Sequence, residues 1–437
     1  MNAWTRGTAS EIGRGMMAVM AASLMVAGAA GADEPSDAAL KADIEVLKTR
    51  LQKLESQVEN RTVPPTGSEA SNAFITLPSG LQNVQISGYA DVSYIYNWNR
   101  PDAATGRTNR GRAFDTQSNG FTPQAFNLAI ERPLDDAIPV GFRADLLFGD
   151  DAEVIHSTGL GTGGAPSDSF DLEQLYVTAK APVGDGITFK AGKFVTLLGA
   201  EVIRSQDDWN FSRSMLFTYA IPFTHTGVLA SYPLGEWGSV TGGVVNGWDI
   251  VDENNQFKTM IGSLALTPIK DVNFSVNGVT GAERAGDNRN DRSVIDLVAT
   301  WKALDMLTLM ANYDYGHESS MAHGVTGTAG FDSANWEGVD LYAKYDLSPK
   351  WSLAGRWGWF NDMDNVRAGF TGPGGTLLIN GVNYFDYTFT SQWQLYQHLL
   401  ARLEYRHDDA SERVYFRRGD GFSEHQDTIA TEFIYTF

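Results

Sequence analysis

The chain has 437 residues, no cysteine, 45 glycines and a formal net charge of −20. The lack of cysteine excludes a disulfide framework, thiolate zinc sites and cysteine nucleophiles. The acidity argues against nucleic acid as a partner, because proteins that bind nucleic acid present a basic surface to phosphate.

Residues 1–32 predict a secretory signal peptide. Arg6 and Arg14 make the start basic, residues 16–30 are apolar, and Ala30-Gly31-Ala32 has the small-x-small pattern of a cleavage site. The apolar run is shorter than the roughly 20 residues that a spanning helix needs, so an N-terminal membrane anchor is the weaker alternative. We therefore expect an exported protein.

Residues 33–62 predict a helix that projects into the periplasm as a short coiled coil. Oppositely charged pairs, Asp43 with Lys48 and Arg50 with Glu55, favour parallel self-association. The run is shorter than the three to four heptads that identify a coiled coil securely, so an amphipathic helix lying on another protein or on the barrel is the alternative. The prolines in residues 63–83 predict a linker. The apolar heptad positions are Leu40, Ile44, Leu47, Leu51, Leu54 and Val58.

Residues 84–437 predict an all-β transmembrane β-barrel of about 16 antiparallel strands. The first strand, residues 84–98, alternates apolar side chains such as Val92 with polar ones such as Asp91. The last run, residues 429–437, alternates in the same way and ends on Phe437. A bare hydrophobic edge in lipid would leave unpaired backbone groups, so we expect this last strand to close the barrel.

The connectors between the predicted strands alternate in length. Short turns on one rim and long loops on the other are typical of a transmembrane barrel. A soluble β-sandwich or propeller, the alternative, should show neither this alternation nor aromatic residues at strand ends. The short turns are 133–139, 182–186, 233–238, 268–271, 302–306 and 348–350. The long connectors are 99–123, 149–170, 196–223, 282–292, 317–336, 361–382 and 409–426.

The lumen of such a barrel is polar and filled with water. Strand alternation turns nearly equal numbers of acidic and basic side chains towards it, which predicts only a weak preference for cations. The alternative is that these charges form ion pairs that merely brace the wall. The inward-facing charged residues are Asp91, Arg143, Asp145, Lys180, Lys190, Asp296, Asp340, Lys344, Asp346, Arg356, Asp386, Arg402, Glu404, Arg406 and Glu432.

The connector 196–223 is unusually rich in leucine, valine, isoleucine and phenylalanine. A connector this apolar folds against another surface, and the space available is the lumen. We expect it to narrow the channel, with the alternative of an external cap or a subunit contact. Its charged residues, which would face one another across the narrowing, are Glu201, Arg204, Asp207, Asp208 and Arg213.

Several runs of the chain share the pattern of one known family. They are Gly192-Lys193-Phe194, Gly199-Ala200-Glu201, Asn210-Phe211-Ser212-Arg213-Ser214, Pro222-Phe223-Thr224-His225-Thr226-Gly227, Ile86-Ser87-Gly88-Tyr89-Ala90-Asp91 and Tyr405-Arg406-His407-Asp408. With these runs the chain resembles the OmpL-like β-barrel porin family of Gram-negative outer membranes over residues 84–437. The resemblance implies a channel-forming outer-membrane protein. It does not indicate a solute, because the solutes of the family are poorly defined.

Other motifs lack the context that their chemistry needs. Residues 159–164 match a dinucleotide-binding pattern, but no helix is predicted to follow. The acidic runs 287–291 and 362–365 lack the glycine and distal glutamate of a calcium loop. Some outer-membrane proteases use an aspartate and a histidine to activate water, and His407 and Asp408 are such a pair in sequence. Adjacent strand residues point to opposite faces, however, so these two side chains are not expected to act together. We therefore expect no enzyme activity, cofactor or bound metal.

Together these features predict an outer-membrane porin that passes small hydrophilic solutes by passive diffusion. Its expected partners are lipid and lipopolysaccharide, the barrel-assembly machinery, and further copies of itself, of which the trimer is common among sixteen-stranded porins. One alternative is a barrel that anchors the periplasmic coiled coil as an envelope tether. Another is the barrel of an extracellular electron conduit, which would need a separate haem protein.

Overall fold

The computed structural model describes residues 83–102, 105–135, 138–160, 169–322, 331–376, 378, 381–419 and 421–437. The predicted signal peptide, the heptad residues from Leu40 to Val58 and the linker up to residue 82 lie outside the described residues. In the part of the chain that is described, none of the helices has the length and apolar character needed to cross a membrane.

Within the described residues, sixteen strands form one closed antiparallel barrel. Each strand pairs with its neighbours in chain order, and the first pairs with the last, so the prediction of about 16 antiparallel strands is confirmed. The barrel strands are β1 (Gln85–Asn97), β2 (Gly120–Arg132), β3 (Val140–Phe148), β4 (Phe170–Ala181), β5 (Ile187–Val195), β6 (Thr224–Pro233), β7 (Gly238–Val245), β8 (Thr259–Ile269), β9 (Val272–Ala282), β10 (Asp291–Leu304), β11 (Leu307–Ala322), β12 (Phe331–Ser348), β13 (Trp351–Asp362), β14 (Val382–Tyr396), β15 (Leu399–Ala410) and β18 (His425–Thr436).

The other described elements lie in connectors. Strands β16 (Tyr415–Arg417) and β17 (Gly421–Ser423) form a small separate sheet between β15 and β18. Helix α1 (Asp150–Ile155) follows β3, and helix α2 (Met215–Tyr219) lies between β5 and β6. Single 3₁₀ turns occur at Ser205–Asp207, Gly235–Trp237 and Pro373–Gly375.

The chain terminus closes the barrel, as its alternating pattern predicts. The Gly88 amide donates to the Phe437 carbonyl at 2.9 Å, and the Phe437 amide donates back to the Gly88 carbonyl at 3.0 Å. Glycine is required at position 88, because a Cβ there would lie 2.1 Å from the Asn127 carbonyl oxygen and 2.6 Å from the Phe437 ring. The last residue therefore packs against the first strand.

Side chains alternate between the two faces of the wall. Apolar residues such as Val92 and Ile295 are 50% and 54% exposed on the outer face. Their sequence neighbours Asp91 and Asp296 are buried inside. This inverts the arrangement of a soluble protein and fits a wall with hydrocarbon outside and polar groups inside.

Two predicted features differ from the structure. Strands β11 and β12 extend into residues 317–322 and 331–336, where a long connector was expected. The interior also contains an apolar cluster, which includes Phe114, Phe217 and Tyr415. These residues come from connectors that fold inwards, so the polar lumen expected from the strands alone is partly filled.

A candidate pore inside the barrel

The connector 196–223, called here the inward segment, leaves and re-enters the wall at one narrow base. The Thr196 amide donates to the Phe223 carbonyl at 2.9 Å. The Thr196 hydroxyl lies 3.1 Å from His225 Nε2, and His225 Nδ1 lies 2.9 Å from the Gly247 carbonyl. Residues of the family-like run from Pro222 to Gly227 thus pin the segment to β6 and to the next connector.

The inward segment is also braced by its own side chains. Glu201 accepts a hydrogen bond from the Ser214 amide at 2.7 Å, and the Ser214 hydroxyl caps α2 by accepting from the Phe217 amide at 3.0 Å. The buried Arg213 guanidinium donates to the carbonyls of residues 202, 203 and 211 and lies 3.4 Å from an oxygen of Asp208. Arg213 and Asp208 therefore hold the segment's shape from within.

Four inward-facing wall residues anchor one side of the segment. Arg356 pairs with Glu201 at 2.7 Å, and Arg402 donates to the Ser205 carbonyl at 2.8 Å. Glu404 accepts from the amides of residues 211 and 212 at 2.7 and 3.0 Å, and Arg406 donates to the carbonyl of residue 213. All four wall side chains are buried beneath the segment.

The other side of the segment reaches the opposite wall. Arg204 lies 2.5 Å from an oxygen of Asp145 on β3 and 3.6 Å from Glu173 on β4. Arg143 shares Asp145 at 2.9 Å and also pairs with Glu131 at 2.8 Å. Because its partners lie on β3 and β4 as well as on β13 and β15, the inward segment crosses the interior of the barrel.

Two cavities flank the segment. The side cavity, of about 400 Å³, lies between the segment and strands β3 to β5, and the terminal cavity, of about 360 Å³, lies beside Phe437 and His398. Arg204 and Asp207 line both cavities. A polar path past the segment would therefore run beside these two side chains.

The predicted site residues fall into two groups. Glu201, Arg204, Asp207 and Arg143 line the side cavity. The others lie beneath or within the segment, where they hold it in place. These are Asp145, Asp208, Arg213, Arg356, Arg402, Glu404 and Arg406.

Sequence reasoning missed Glu173, which lines the side cavity and pairs with Arg204. The register between β3 and β4 shifts between Asp145 and Leu146, opposite residues 172–174. A bulge of this kind adds one residue to a strand and breaks its alternation, so the face of Glu173 could not be read from its position.

Connectors cover the end of the barrel above α2. Arg367, which follows β13, stacks on the rings of Trp248 and Trp336 at 4.5 and 5.1 Å and donates to the Tyr219 carbonyl at 2.8 Å. Trp336 donates to the Ala220 carbonyl at 3.1 Å. One arginine therefore joins two connectors and the wall to the inward segment.

The acidic runs considered as calcium loops organise their own backbones. The Asp362 carboxylate accepts hydrogen bonds from the amides of residues 366, 367 and 368 at 3.0, 2.9 and 2.8 Å. Asp287 accepts from the amides of residues 289 and 290 at 2.9 and 3.4 Å.

The adjacent residues His407 and Asp408 engage different partners. His407 pairs with Asp427, whereas Asp408 pairs with Arg112.

One connector carboxyl has a strongly altered affinity for protons. Asp151 on α1 is buried, and its carboxylate lies 3.8 Å from the Arg213 guanidinium. Burial raises the pKa of Asp151 to about 7, and the attraction of Arg213 opposes this only in part. The charge of this group therefore changes near neutral pH.

Comparison with known proteins gives one sequence family and several similar folds. The family described as "Putative beta-barrel porin-2, OmpL-like" matches residues 83–437. No curated protein matches the sequence.

Three solved structures illustrate the similarity in fold. The anion-selective porin of Comamonas acidovorans is 12% identical with a TM-score of 0.54, over 81% of this chain and 99% of that chain. The outer membrane channel DcaP of Acinetobacter baumannii is 12% identical with a TM-score of 0.53, over 81% and 97%. OmpT of Vibrio cholerae, in its trimer form, is 10% identical with a TM-score of 0.51, over 81% and 99%. At these identities the similarity concerns the fold alone.

Proposed function

The chain belongs to the putative beta-barrel porin-2, OmpL-like family of outer-membrane proteins, and we propose that small hydrophilic solutes and ions diffuse passively through its barrel. In this proposal the inward segment sets the size limit, and solutes pass between it and strands β3 to β5. No chemical step is involved. Water carries the solute, and the charged side chains of the path orient it.

One observation carries the proposal: Arg204 and Asp207, opposite in charge, line both cavities that flank the inward segment. Arg204 also holds the segment through Asp145 at 2.5 Å, whereas Asp207 is exposed and has no ion-pair partner among the described residues. The remaining charges of the segment hold it in place, as the Arg356–Glu201 pair illustrates at 2.7 Å. A field across a narrow, low-dielectric passage aligns polar solutes and disfavours apolar ones. The excess of acidic residues elsewhere in the chain supports the predicted weak preference for cations among small ions.

The test is electrical. The purified protein, refolded in detergent and reconstituted into planar bilayers, should give discrete conductance steps that are ohmic at low voltage. Arg204→Gln and Asp207→Asn should shift the reversal potential in a salt gradient in opposite directions. Arg413→Gln is the matched control, because Arg413 is exposed in a connector and lies 3.8 Å from Glu424. Correctly folded protein that gives no conductance would refute the porin proposal.

The N-terminal residues complete the proposal. We propose that residues 1–32 direct export and that residues 33–62 extend into the periplasm as a coiled coil. The heptad residues from Leu40 to Val58 support a second role as an envelope tether. Deleting residues 36–60 distinguishes the two roles, because a tether loses its association with the cell wall while a channel keeps its conductance. We also propose a homo-oligomer, with the trimer as the first form to test by crosslinking.

A further inference from the structure

The side cavity joins a charged wall to an apolar surface. On the wall side it is lined by Arg143, Lys190 and Tyr176 of strands β3 to β5. On the side of the inward segment it is lined by Val202 and other apolar residues, including Leu197, Phe217 and Phe223. A passage for inorganic ions has no need of such a surface.

Lys190 is the cation in this cavity that lacks a carboxylate partner. Among the described residues, no acidic group lies within ion-pair distance of its ammonium, whose close neighbours are the rings of Tyr176 at 4.4 Å and Phe194 at 5.7 Å. The basic neighbours are neutralised, Arg143 by Glu131 at 2.8 Å and Arg204 by Asp145 at 2.5 Å. A positive charge held over an aromatic face and left without a counterion attracts an anion.

Val202 provides exposed apolar surface in the same cavity. Its side chain is 42% exposed, although it lies inside the barrel. Apolar surface exposed to water is unfavourable, and a bound apolar group would remove this surface from water. The cavity volume of about 400 Å³ lies within the usual range for small-molecule sites.

Asp207 limits the negative charge that a solute bound in this cavity can carry. It lines the same cavity, is exposed, and has no ion-pair partner in the described part of the chain. Its carboxylate repels a second negative charge on a bound solute. The other two carboxylates that line the cavity have basic partners. Glu201 pairs with Arg356 at 2.7 Å, and Glu173 lies 3.6 Å from Arg204.

From these four features we infer that the side cavity is a binding subsite for small organic monocarboxylates with an aromatic or aliphatic body. The carboxylate pairs with Lys190, and the body packs against Val202 and the neighbouring apolar residues. The inference rests on the proposed porin function and names the class of solute that the channel retains. An inorganic anion would leave Val202 exposed, and a sugar would leave Lys190 without its counterion.

The experiment uses benzoate as the probe and benzyl alcohol as its uncharged counterpart. Single channels of the full barrel are recorded in planar bilayers with potassium chloride, and the concentration that halves the current is measured for each compound. Benzoate should block at a concentration at least tenfold lower than benzyl alcohol. Terephthalate, which carries a second carboxylate, should block less well than benzoate.

Variants separate the two halves of the site. Lys190→Gln should raise the half-blocking concentration of benzoate at least tenfold, and Lys190→Arg should keep block within about threefold of wild type. Val202→Ser should weaken block by benzoate more than block by acetate. Lys180→Gln is the matched control, since Lys180 lies on the adjacent strand β4 but does not line the side cavity.

Failure of the subsite is distinguishable from failure of the porin. A channel that conducts normally but is blocked equally by benzoate and benzyl alcohol, or equally in wild type and Lys190→Gln, overturns the carboxylate subsite and leaves the porin in place. Absence of any conductance overturns the porin itself. Each variant is first shown to migrate differently on gels before and after boiling, so that misfolded protein is not scored.

Discussion

At the scale of single residues, the structure assigns holding roles to charges that strand alternation marks only as inward-facing. Arg356 illustrates this, because its position in β13 predicts that it faces the interior, and it does. Its guanidinium, however, is engaged by Asp386 at 2.8 Å and Glu201 at 2.7 Å. Alternation reports the face of a strand residue but not what a distant connector places on top of it.

Lys190 shows the opposite case. Alternation predicts that it faces the lumen, and the structure leaves its ammonium without a carboxylate partner among the described residues. Alternation alone does not distinguish Lys190 from Arg143, since it predicts that both face the lumen. The difference comes from the register between β2 and β3, which places Glu131 opposite Arg143, 2.8 Å from its guanidinium. Pairing between strands decides which charges stay available to a solute.

A pH prediction belongs to this scale. The buried Asp151 has a folded pKa of about 7, against about 3.9 for an exposed aspartate, so the folded state holds its proton up to higher pH than the unfolded state does. This contribution to stability is complete below about pH 4 and is lost as the pH rises to about 7. Relative to Asp151→Asn, the wild type should therefore lose on the order of 4 kcal/mol over this range.

The measurement is the temperature at which the barrel shifts to its unfolded mobility on gels, recorded from pH 4 to 8 for both proteins. Comparing the two proteins cancels the other groups that titrate over this range. Glu153→Gln serves as the control, since Glu153 lies on the same helix α1 but is exposed. Parallel curves for wild type and Asp151→Asn would contradict the prediction.

At the scale of elements, the inward segment behaves as a folded unit rather than a loop. Its apolar composition predicts packing in the lumen, and the segment does contact inward-facing residues on opposite walls. The ends of β11 and β12 were predicted less well, because they continue into residues 317–322 and 331–336. The outward-facing positions of these strand ends carry polar residues such as His317, Ser333 and Asn335, so they lack the apolar alternation by which a membrane strand is recognised.

Arg367 makes a prediction about how these elements are held together. Arg367→Ala removes two cation–π contacts, each worth roughly 0.5–2 kcal/mol, and the hydrogen bond to the Tyr219 carbonyl. The connector should then separate from α2, and the mean single-channel conductance should rise with more frequent fluctuations. Recordings in planar bilayers measure both quantities.

The control for Arg367→Ala is Arg413→Ala, which removes an exposed arginine from another connector. Limited proteolysis provides a second readout, because a released connector is cut faster in intact vesicles. Conductance and cleavage rates equal to those of the control would show that the Arg367 contacts do not close this end of the barrel.

At the scale of the whole molecule, the closed wall is the most predictable part of the fold. Alternation in the last strand and its terminal aromatic predict closure, and β1 does pair with β18. The prediction succeeds because closure in lipid is a requirement of backbone hydrogen bonding and does not depend on which side chains are present. The contents of the barrel depend on side-chain packing between distant segments, which a single sequence does not reveal.

Gly88 tests the closure directly. Gly88→Ala should lower the yield of folded barrel severalfold, because the new Cβ would lie 2.1 Å from the Asn127 carbonyl oxygen and force the seam apart. Gly120→Ala is the matched control, since a Cβ at the start of β2 meets no atom within 4 Å. The folded fraction is the portion that keeps its compact mobility on unboiled gels. Equal fractions for the two variants would contradict the prediction.

Several anchors of the inward segment lie far along the chain from the segment itself, on strands β13, β15 and β18. Arg356 is 144 residues from Ser212, and Glu432 is 227 residues from Ser205. Contacts between residues so far apart in sequence form slowly, so the segment cannot reach its final position until the C-terminal strands have joined the wall. We therefore expect a newly assembled barrel to have a wider passage than the mature one until its last strands are in place.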